Sequence, residues 1–262
     1  MAIEAAAARL GFIGAGAITA AFVDGLAARG APNPILLSPR SERVARDIAA
    51  RVATARVAAS NAEVVDGSDI LFLAVRPSQV ETALAEITLR PGQILCSFVI
   101  GLGLAELERL SPGTPVCRVL PLPTVALRKG PLLCSPPLTP VLDLLSGLGE
   151  IIVPETEAEF DALGAASGLM SSFFELETAV ARWLGANGVA GTTGARYVGA
   201  LFSGLSEITL REAGRLSDLA AEHETPGGIN ERTRRALRRS GWFDEPGTAM
   251  SEVRSIRRAD LA

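Results

Sequence analysis

The chain has 262 residues, of which 48% are hydrophobic and only 5% aromatic, so its core must consist mainly of Ala, Val, Leu and Ile. This length allows two domains, and a net charge of −4 gives no general attraction to nucleic acid or to anionic lipid. The sequence has no uninterrupted apolar run of about eighteen residues, the length that predicts a membrane span. The Ala-rich residues 1–9 are too few for a signal peptide. We therefore expect neither nucleic-acid nor membrane partners.

Residue types that often perform catalysis are scarce. His223, Lys129 and Tyr197 are the only residues of their kinds, and every other cationic side chain is Arg, which stays protonated and serves poorly as a proton shuttle. A Ser-His-Asp or zinc mechanism would depend on His223 alone, so hydrolase and metalloenzyme classes are disfavoured and no metal site is expected. The cysteines show no ligand-like spacing and indicate a reducing cytoplasm rather than a catalytic thiol; they are Cys96, Cys117 and Cys134.

Short apolar runs alternate with helical segments in the first part of the chain. The predicted strands are 9–13, 35–37, a short one near 56–58, 70–75, 93–98, 115–120 and 131–134. The run 70–75 is apolar on both faces, which is typical of a central parallel strand. This alternation predicts an open, doubly wound and mostly parallel sheet of the α/β class.

The pattern changes after residue 154. Strand signals end and helical stretches dominate, notably 171–186 and 195–213. We expect the glycine-rich segment 185–194 and the segment 224–228 to interrupt the helices. The sequence therefore predicts an α/β domain over residues 1–153 and an all-α domain over residues 154–262.

A glycine loop follows the first predicted strand. Gly14-Ala15-Gly16 precedes a helix predicted over 17–29, the context in which such a loop binds a dinucleotide. Gly14 permits the tight turn, Gly16 lets the backbone approach a pyrophosphate, and the N–H groups of Ala17 and Ile18 at the helix start favour the anion. Thr19 stands where Gly or Ala is usual. A glycine turn without a ligand is the alternative, but the surrounding alternation favours a Rossmann domain.

The end of the second strand distinguishes between dinucleotides. NAD sites usually carry an acidic residue about 20 residues after the loop, to bind the ribose hydroxyls. This chain has Ser38-Pro39-Arg40-Ser41 there and no carboxylate before Glu42. A hydroxyl and a guanidinium suit a 2′-phosphate, so Ser38 and Arg40 predict NADP, with Arg43 as a second candidate. The alternative is a solvated helix start that happens to carry an Arg.

Four ordered segments, whose spacing covers nearly the whole chain, resemble those of pyrroline-5-carboxylate reductases. They are Gly11-Phe12-Ile13-Gly14-Ala15-Gly16, Ala74-Val75-Arg76-Pro77, Arg118-Val119-Leu120-Pro121 and Thr225-Pro226-Gly227-Gly228. The resemblance implies NADPH-dependent reduction of a cyclic imine carboxylate, as in proline biosynthesis. It also implies a helical domain that interlocks with a partner subunit, and thus a homodimer or higher oligomer.

The same resemblance implies site residues. Ala74, Val75, Arg76 and Pro77 would contact the cofactor; Thr225 and Asn230 would serve at the reacting end; Pro226, Gly227, Gly228 and Ser171 would bind the substrate. A protonated imine is already electrophilic, so such a site mainly orients two reactants. Backbone N–H groups where a loop meets a helix can hold the substrate carboxylate, although a plain helix start is the alternative for this loop.

Three departures from the family pattern surround the expected pocket. Leu122-Pro123-Thr124 replaces Asn-Thr-Pro, Ile229-Asn230 replaces two Thr, and Leu169-Met170-Ser171 replaces Ser-Gly-Pro. They leave the cofactor site intact and indicate an altered substrate, with loss of proline synthesis and retention of another imine or carbonyl substrate as one alternative.

Other classes share part of this plan. The 3-hydroxyacid dehydrogenases related to 6-phosphogluconate dehydrogenase use a Lys on a helix of the second domain, whereas Lys129 lies in the first. A reductase that transfers hydride between a deazaflavin and NADP usually needs no large helical domain. A non-catalytic dinucleotide sensor or scaffold stays open. His223 is interpreted as a surface residue at a helix end, with a substrate contact as the alternative.

Overall fold

The computed structural model describes residues 3–254, so residues 255–262 of the predicted helical domain lie outside the described part. The described chain forms two compact units, which divide between Gly164 and Ala165. Among residues 3–254, no helix combines the length and the apolar character that a membrane span requires.

The first unit contains one mixed sheet. Its strands are β1 (Leu10–Ile13), β2 (Ile35–Leu37), β3 (Ala55–Val57), β4 (Ile70–Leu73), β5 (Ile94–Ser97), β6 (Val116–Pro121), β7 (Pro131–Ser135) and β8 (Glu150–Ile152). The order across the sheet is β3-β2-β1-β4-β5-β6-β7-β8. Neighbouring strands are parallel, except that β6 and β7 pair antiparallel with Val119 opposite Cys134. The predicted doubly wound, mostly parallel α/β sheet is confirmed.

Helices follow most strands of this unit. They are α1 (Ala17–Ala28), α2 (Glu42–Arg51), α3 (Asn61–Asp66), α4 (Val80–Ala85), α5 (Leu104–Leu110), α6 (Thr139–Leu145) and α7 (Glu157–Ala166). The strands are added on two sides of β1: β2 and β3 lie on one side, and β4 and the later strands lie on the other. The strand order therefore has a switch point between β1 and β4. Such a switch point leaves a crevice at the carboxyl ends of the strands.

The two faces of the sheet bury separate hydrophobic clusters, because successive side chains of a strand point to opposite faces. Phe12 and Phe72 belong to one cluster, and their rings stack at 4.8 Å between centroids. Leu71 and Leu73 belong to the other. The helices on each face of the sheet therefore pack against a hydrophobic cluster of their own.

The first unit extends past the boundary predicted at 153/154. Phe160 of α7 is 5% exposed and packs with Leu120 and Leu133 of the sheet. This contact joins the first turns of α7 to the α/β core. From the sequence, the same residues were predicted to begin the all-α domain.

The second unit is helical. Its helices are α8 (Leu169–Ala186), α9 (Gly191–Arg211), α10 (Leu216–Glu222), α11 (Ile229–Arg239) and α12 (Glu245–Arg254). The predicted break at 224–228 lies between α10 and α11. The break predicted at 185–194 is wrong in part, because Gly191 to Gly194 are helical. Gly194 is buried, and a Cβ there would lie 3.6 Å from Leu184 Cβ, so the glycine fits a close contact between α8 and α9.

Candidate functional site

The turn after β1 requires glycine. Gly14 has φ of +103°, and an ideal Cβ at this position would lie 2.3 Å from the backbone oxygen of Ala74. A side chain is therefore excluded by backbone conformation and by the neighbouring strand. The close approach brings the glycine loop beside the segment that follows β4, so two of the segments singled out in the sequence meet at the switch point of the sheet.

Two side chains fix both polar groups of Gly14. Its N–H donates to Ser38 Oγ at 3.1 Å, and its carbonyl accepts from Thr19 Oγ1 at 2.9 Å. Both hydroxyls belong to buried residues, Ser38 being 1% exposed. Thr19 thus uses the position that usually holds a small residue to stabilise the turn.

The start of α1 offers unpaired donors. Gly16 is its N-cap and provides no side-chain acceptor, so the first N–H groups, those of Ala17 and Ile18 included, have no cap of this kind. An ideal Cβ at Gly16 would meet nothing within 4 Å, so the space beside it is open. An open helix N-terminus of this form can hold a pyrophosphate, and the residues present therefore fit a dinucleotide.

Ser38 and Arg40 differ in accessibility at the end of β2. The Ser38 hydroxyl is buried against Gly14, whereas Arg40 is exposed in the 3₁₀ turn Pro39–Ser41. The two neighbouring arginines along α2 have acidic partners: Arg43 lies 3.9 Å from Asp47, and Arg46 pairs with Glu42. Arg40 is therefore the exposed cation closest in sequence to the end of β2, Arg43 is 88% exposed and stays a second candidate, and Ser38 is a support for the glycine loop.

The segment after β4 continues the pairing with β1. Ala74 N–H donates to Ile13 O at 2.8 Å, and Arg76 then precedes the 3₁₀ turn Pro77–Gln79. Ala74 and Val75 are half-buried and Arg76 is exposed. This segment lies along the same carboxyl edge as the glycine loop.

Sequence reasoning assigned no role to Arg118, which the structure places in a buried ion-pair cluster. Arg118 is 4% exposed, and its guanidinium contacts Glu157 Oε1 at 2.9 Å and Asp161 Oδ1 at 3.1 Å. The available signals were a lone cation inside an apolar strand and two acids four residues apart on α7, which lies further along the chain. Leu122, which replaces a family Asn, follows β6 and is half-buried.

The Pro-Gly-Gly loop has internal partners for two of its donors. Gly227 N–H donates to Glu231 Oε2 at 2.6 Å, and Gly228 N–H donates to Thr225 O at 2.8 Å. Glu231 therefore places a carboxylate of the chain itself at the loop for which the family resemblance implies a bound substrate carboxylate. The other oxygen of Glu231 pairs with Arg235. Pro226 is exposed in the same loop.

Asn230 connects the loop to the preceding helix. Its Nδ2 donates to the backbone oxygen of His223 at 2.8 Å, while His223 Nδ1 lies 2.8 Å from Leu219 O. Asn230 thus ties the start of α11 to the end of α10, whereas the His223 ring contacts only the last turns of α10. Thr225 and Ser171 are exposed, Ser171 in the first turn of α8.

The cysteines lie in the core. Cys117 Sγ and Cys134 Sγ are 3.4 Å apart, and all three thiols are free and buried. The pKa of the Cys134 thiol is raised by its hydrogen bond with Cys117 and by burial, and the pKa of Cys117 is also raised. Thiols held neutral in this way are poor nucleophiles.

A family model described as NADP oxidoreductase, coenzyme F420-dependent, matches residues 9–101. Pyrroline-5-carboxylate reductase of Corynebacterium melassecola is 29% identical over 244 residues, which cover 87% of this chain and 90% of that protein. Pyrroline-5-carboxylate reductase 3 of Danio rerio is 31% identical over 248 residues, 89% of this chain and 85% of that protein.

Solved structures share the fold. The 1-pyrroline-5-carboxylate reductase of Streptococcus pyogenes matches with a TM-score of 0.84 at 20% identity, covering 95% of this chain and 97% of that one. The Plasmodium falciparum pyrroline carboxylate reductase with NADP bound matches with a TM-score of 0.82 at 19% identity, covering 97% and 98%. The 31% identity to the Danio rerio protein, over 89% of this chain, shows that the chain belongs to the pyrroline-5-carboxylate reductase family of oxidoreductases.

Proposed function

We propose that this protein is an NADPH-dependent reductase of a cyclic imine, with a substrate altered from the one that names its family. The observation that carries the proposal is the turn at Gly14, which Ser38 and Thr19 hold beside Ala74 at the switch point of the sheet. Dinucleotides bind in this crevice of a doubly wound sheet. The relatives support reduction of a C=N bond as the class of reaction.

Each part of the glycine loop and its neighbours has a proposed task. Gly16, Ala17 and Ile18 would hold the pyrophosphate, because the helix start beside them is open and uncapped. Arg40 would pair with the 2′-phosphate, and Ser38 would act on the cofactor through Gly14. Ala74, Val75, Arg76 and Pro77 would contact the nicotinamide half; they form the segment that follows β4.

The chemistry suits a chain that is poor in proton shuttles. Bound NADPH supplies a hydride, and a protonated imine accepts one without a strong enzymic acid. The protein therefore has to orient two reactants, which alone contributes several kcal/mol, about 7–11 at best. Neither His223 nor Lys129 is required as an acid in this scheme.

The helical unit supplies the proposed substrate residues, which the family resemblance identifies as Ser171, Thr225, Pro226, Gly227, Gly228 and Asn230. Glu231 changes what they can recognise. Its carboxylate occupies the Gly227 N–H, so this donor is open to a substrate carboxylate only if Glu231 moves. This contact favours an imine without a carboxylate, or one whose carboxylate is held elsewhere.

We further propose that the protein assembles at least as a dimer through its helical unit. Within residues 165–254 only Gly194 and Val198 are buried, while Phe174 and Trp183 of α8 are more than 60% exposed. Apolar area of this extent is typical of an interface between subunits.

The test is the NADPH-dependent reduction of matched imines by the purified protein. Pyrroline-5-carboxylate and 1-pyrroline share a ring and differ by the carboxylate, and their six-membered counterparts test ring size. We expect turnover, with 1-pyrroline or its six-membered analogue preferred. Gly14→Ala is the negative control, because its side chain collides with Ala74. Tight NADPH binding without turnover of any imine would overturn the proposal and favour a dinucleotide sensor.

A further inference from the structure

Arg118 holds α7 against the sheet. Its guanidinium contacts acids one turn apart on that helix, Glu157 and Asp161, and lies 3.9 Å from the centre of the Phe160 ring. A buried cation depends on its partners, because removing one leaves an uncompensated charge. The position of Glu157 relative to β6 is thus determined by paired charges and by packing.

Glu157 also contacts a third element. Its Oε2 accepts the backbone N–H of Leu104, the first residue of α5, at 3.2 Å. A Cβ at Gly103 would lie 3.3 Å from the same oxygen, so the glycine leaves room for the carboxylate. A carboxylate at a helix N-terminus is favourable because it accepts an otherwise unpaired N–H. One side chain therefore joins Arg118 to the start of α5.

The loop 98–103 lies between two anchors. At its first end, Phe98 N–H donates to Leu73 O at 2.9 Å and continues the pairing of β5 with β4. At its second end, Leu104 is held by Glu157. Between them Leu102 is buried in the core, whereas Ile100 is 59% exposed. The loop leaves the carboxyl end of β5, on the side of the switch point away from β2.

In a dinucleotide-binding sheet of this order, the adenosine end lies toward β2, and the opposite end reaches the strands beyond β4. The loop 98–103 is therefore placed beside the nicotinamide half. We propose that Arg118 and Glu157 are positioning residues for the reduction: through the Leu104 N–H they hold this loop against the reacting end of the cofactor. This inference rests on the proposed function.

The expected effect separates orientation from affinity. Loss of the Glu157 carboxylate frees the second anchor, and misplaced reactants lower kcat by about tenfold or more. The KM for NADPH should change by less than about threefold, since Gly16 and Arg40 hold the phosphates. A change confined to kcat would not follow from a general loss of packing.

The experiment compares wild type, Glu157→Ala and the matched control Asp161→Ala, all as the full chain. Asp161→Ala also removes an acid from Arg118 but leaves the contact between Glu157 and Leu104. Alanine is used because a glutamine carbonyl could still accept the Leu104 N–H. Hydrogen exchange of the amides in 98–104 is measured with and without NADPH, beside kcat and KM for the best imine. We expect Glu157→Ala alone to exchange faster in this segment, by about tenfold at Leu104, and to lose the protection that NADPH gives.

Three results would overturn the inference: unchanged exchange in Glu157→Ala, an equal effect of Asp161→Ala, or no NADPH protection of 98–104 in the wild type. The exchange measurement also separates this inference from the proposed function. If wild type reduces no imine, the proposed function fails, whereas NADPH protection of 98–104 that depends on Glu157 would still support the positioning of the loop.

Discussion

The backbone N–H of Gly14 donates to the buried hydroxyl of Ser38 at 3.1 Å, so the end of β2 supports the turn that follows β1. Ser38→Ala would leave that N–H without its acceptor, at a cost of about 1–3 kcal/mol. We expect lower stability toward urea and weaker NADPH binding. Ser41→Ala is the control, because that exposed serine makes no cap hydrogen bond. Equal unfolding midpoints and affinities for Ser38→Ala and wild type would contradict the assigned role.

Arg40 determines the cofactor preference in our proposal. Wild type should bind NADPH at least about tenfold more tightly than NADH, or roughly 1.4 kcal/mol. Arg40→Ala should bring the two affinities close together by weakening NADPH alone. Arg46→Ala, whose side chain pairs with Glu42, should retain the wild-type preference. Fluorescence titration with both cofactors measures this; wild-type affinities that are equal would refute it.

Glu231 opposes substrate carboxylates if the Pro-Gly-Gly loop binds the substrate. Glu231→Ala frees the Gly227 N–H and removes a negative charge, so kcat/KM for pyrroline-5-carboxylate should rise by about tenfold. The value for 1-pyrroline, which has no carboxylate, should stay unchanged. Glu222→Ala removes an exposed acid elsewhere in the helical unit and serves as the control. A parallel change for both imines would place this loop away from the substrate carboxylate.

The exposed apolar residues of α8 should lie in a subunit interface. We expect wild type to sediment as a dimer or larger at micromolar concentration, and Phe174→Asp to shift it toward monomer, because a charge in an apolar interface is costly. Leu127→Asp is the control, since Leu127 is 73% exposed in the first unit. A folded wild-type monomer, or equal effects of the two substitutions, would rule out this interface.

The sequence predicted the α/β sheet because its buried parallel strands are apolar on both faces, and glycine and proline mark their ends. The helix boundaries near Gly191 were harder to predict, because a glycine can either end a helix or lie inside one. Gly194 lies inside α9, where the absence of a side chain allows a close contact with Leu184. The location of the glycine loop beside Ala74 follows from the strand order, in which β1 and β4 are neighbours.

Side-chain partners were less accessible from the sequence. From the sequence, Ser38 could be a phosphate ligand or a support for Gly14. The structure distinguishes the two roles, because the pairing of β1 with β2 brings the Ser38 hydroxyl to the Gly14 N–H. The pairing of Arg118 with Glu157 depends on which face of the sheet α7 covers. Glu231 was the clearest missed signal, because a carboxylate in the first turn of a helix often accepts a backbone N–H from the residues before it.

The uneven burial of the two units has a consequence for how the protein reaches its native state. The α/β unit has a complete core and is encoded almost entirely before residue 165, so it can fold while the rest is still being synthesised. The helical unit buries only Gly194 and Val198. In the proposed dimer its ordering would depend on contact with the other subunit, so its melting temperature should rise with protein concentration while that of the α/β unit stays constant.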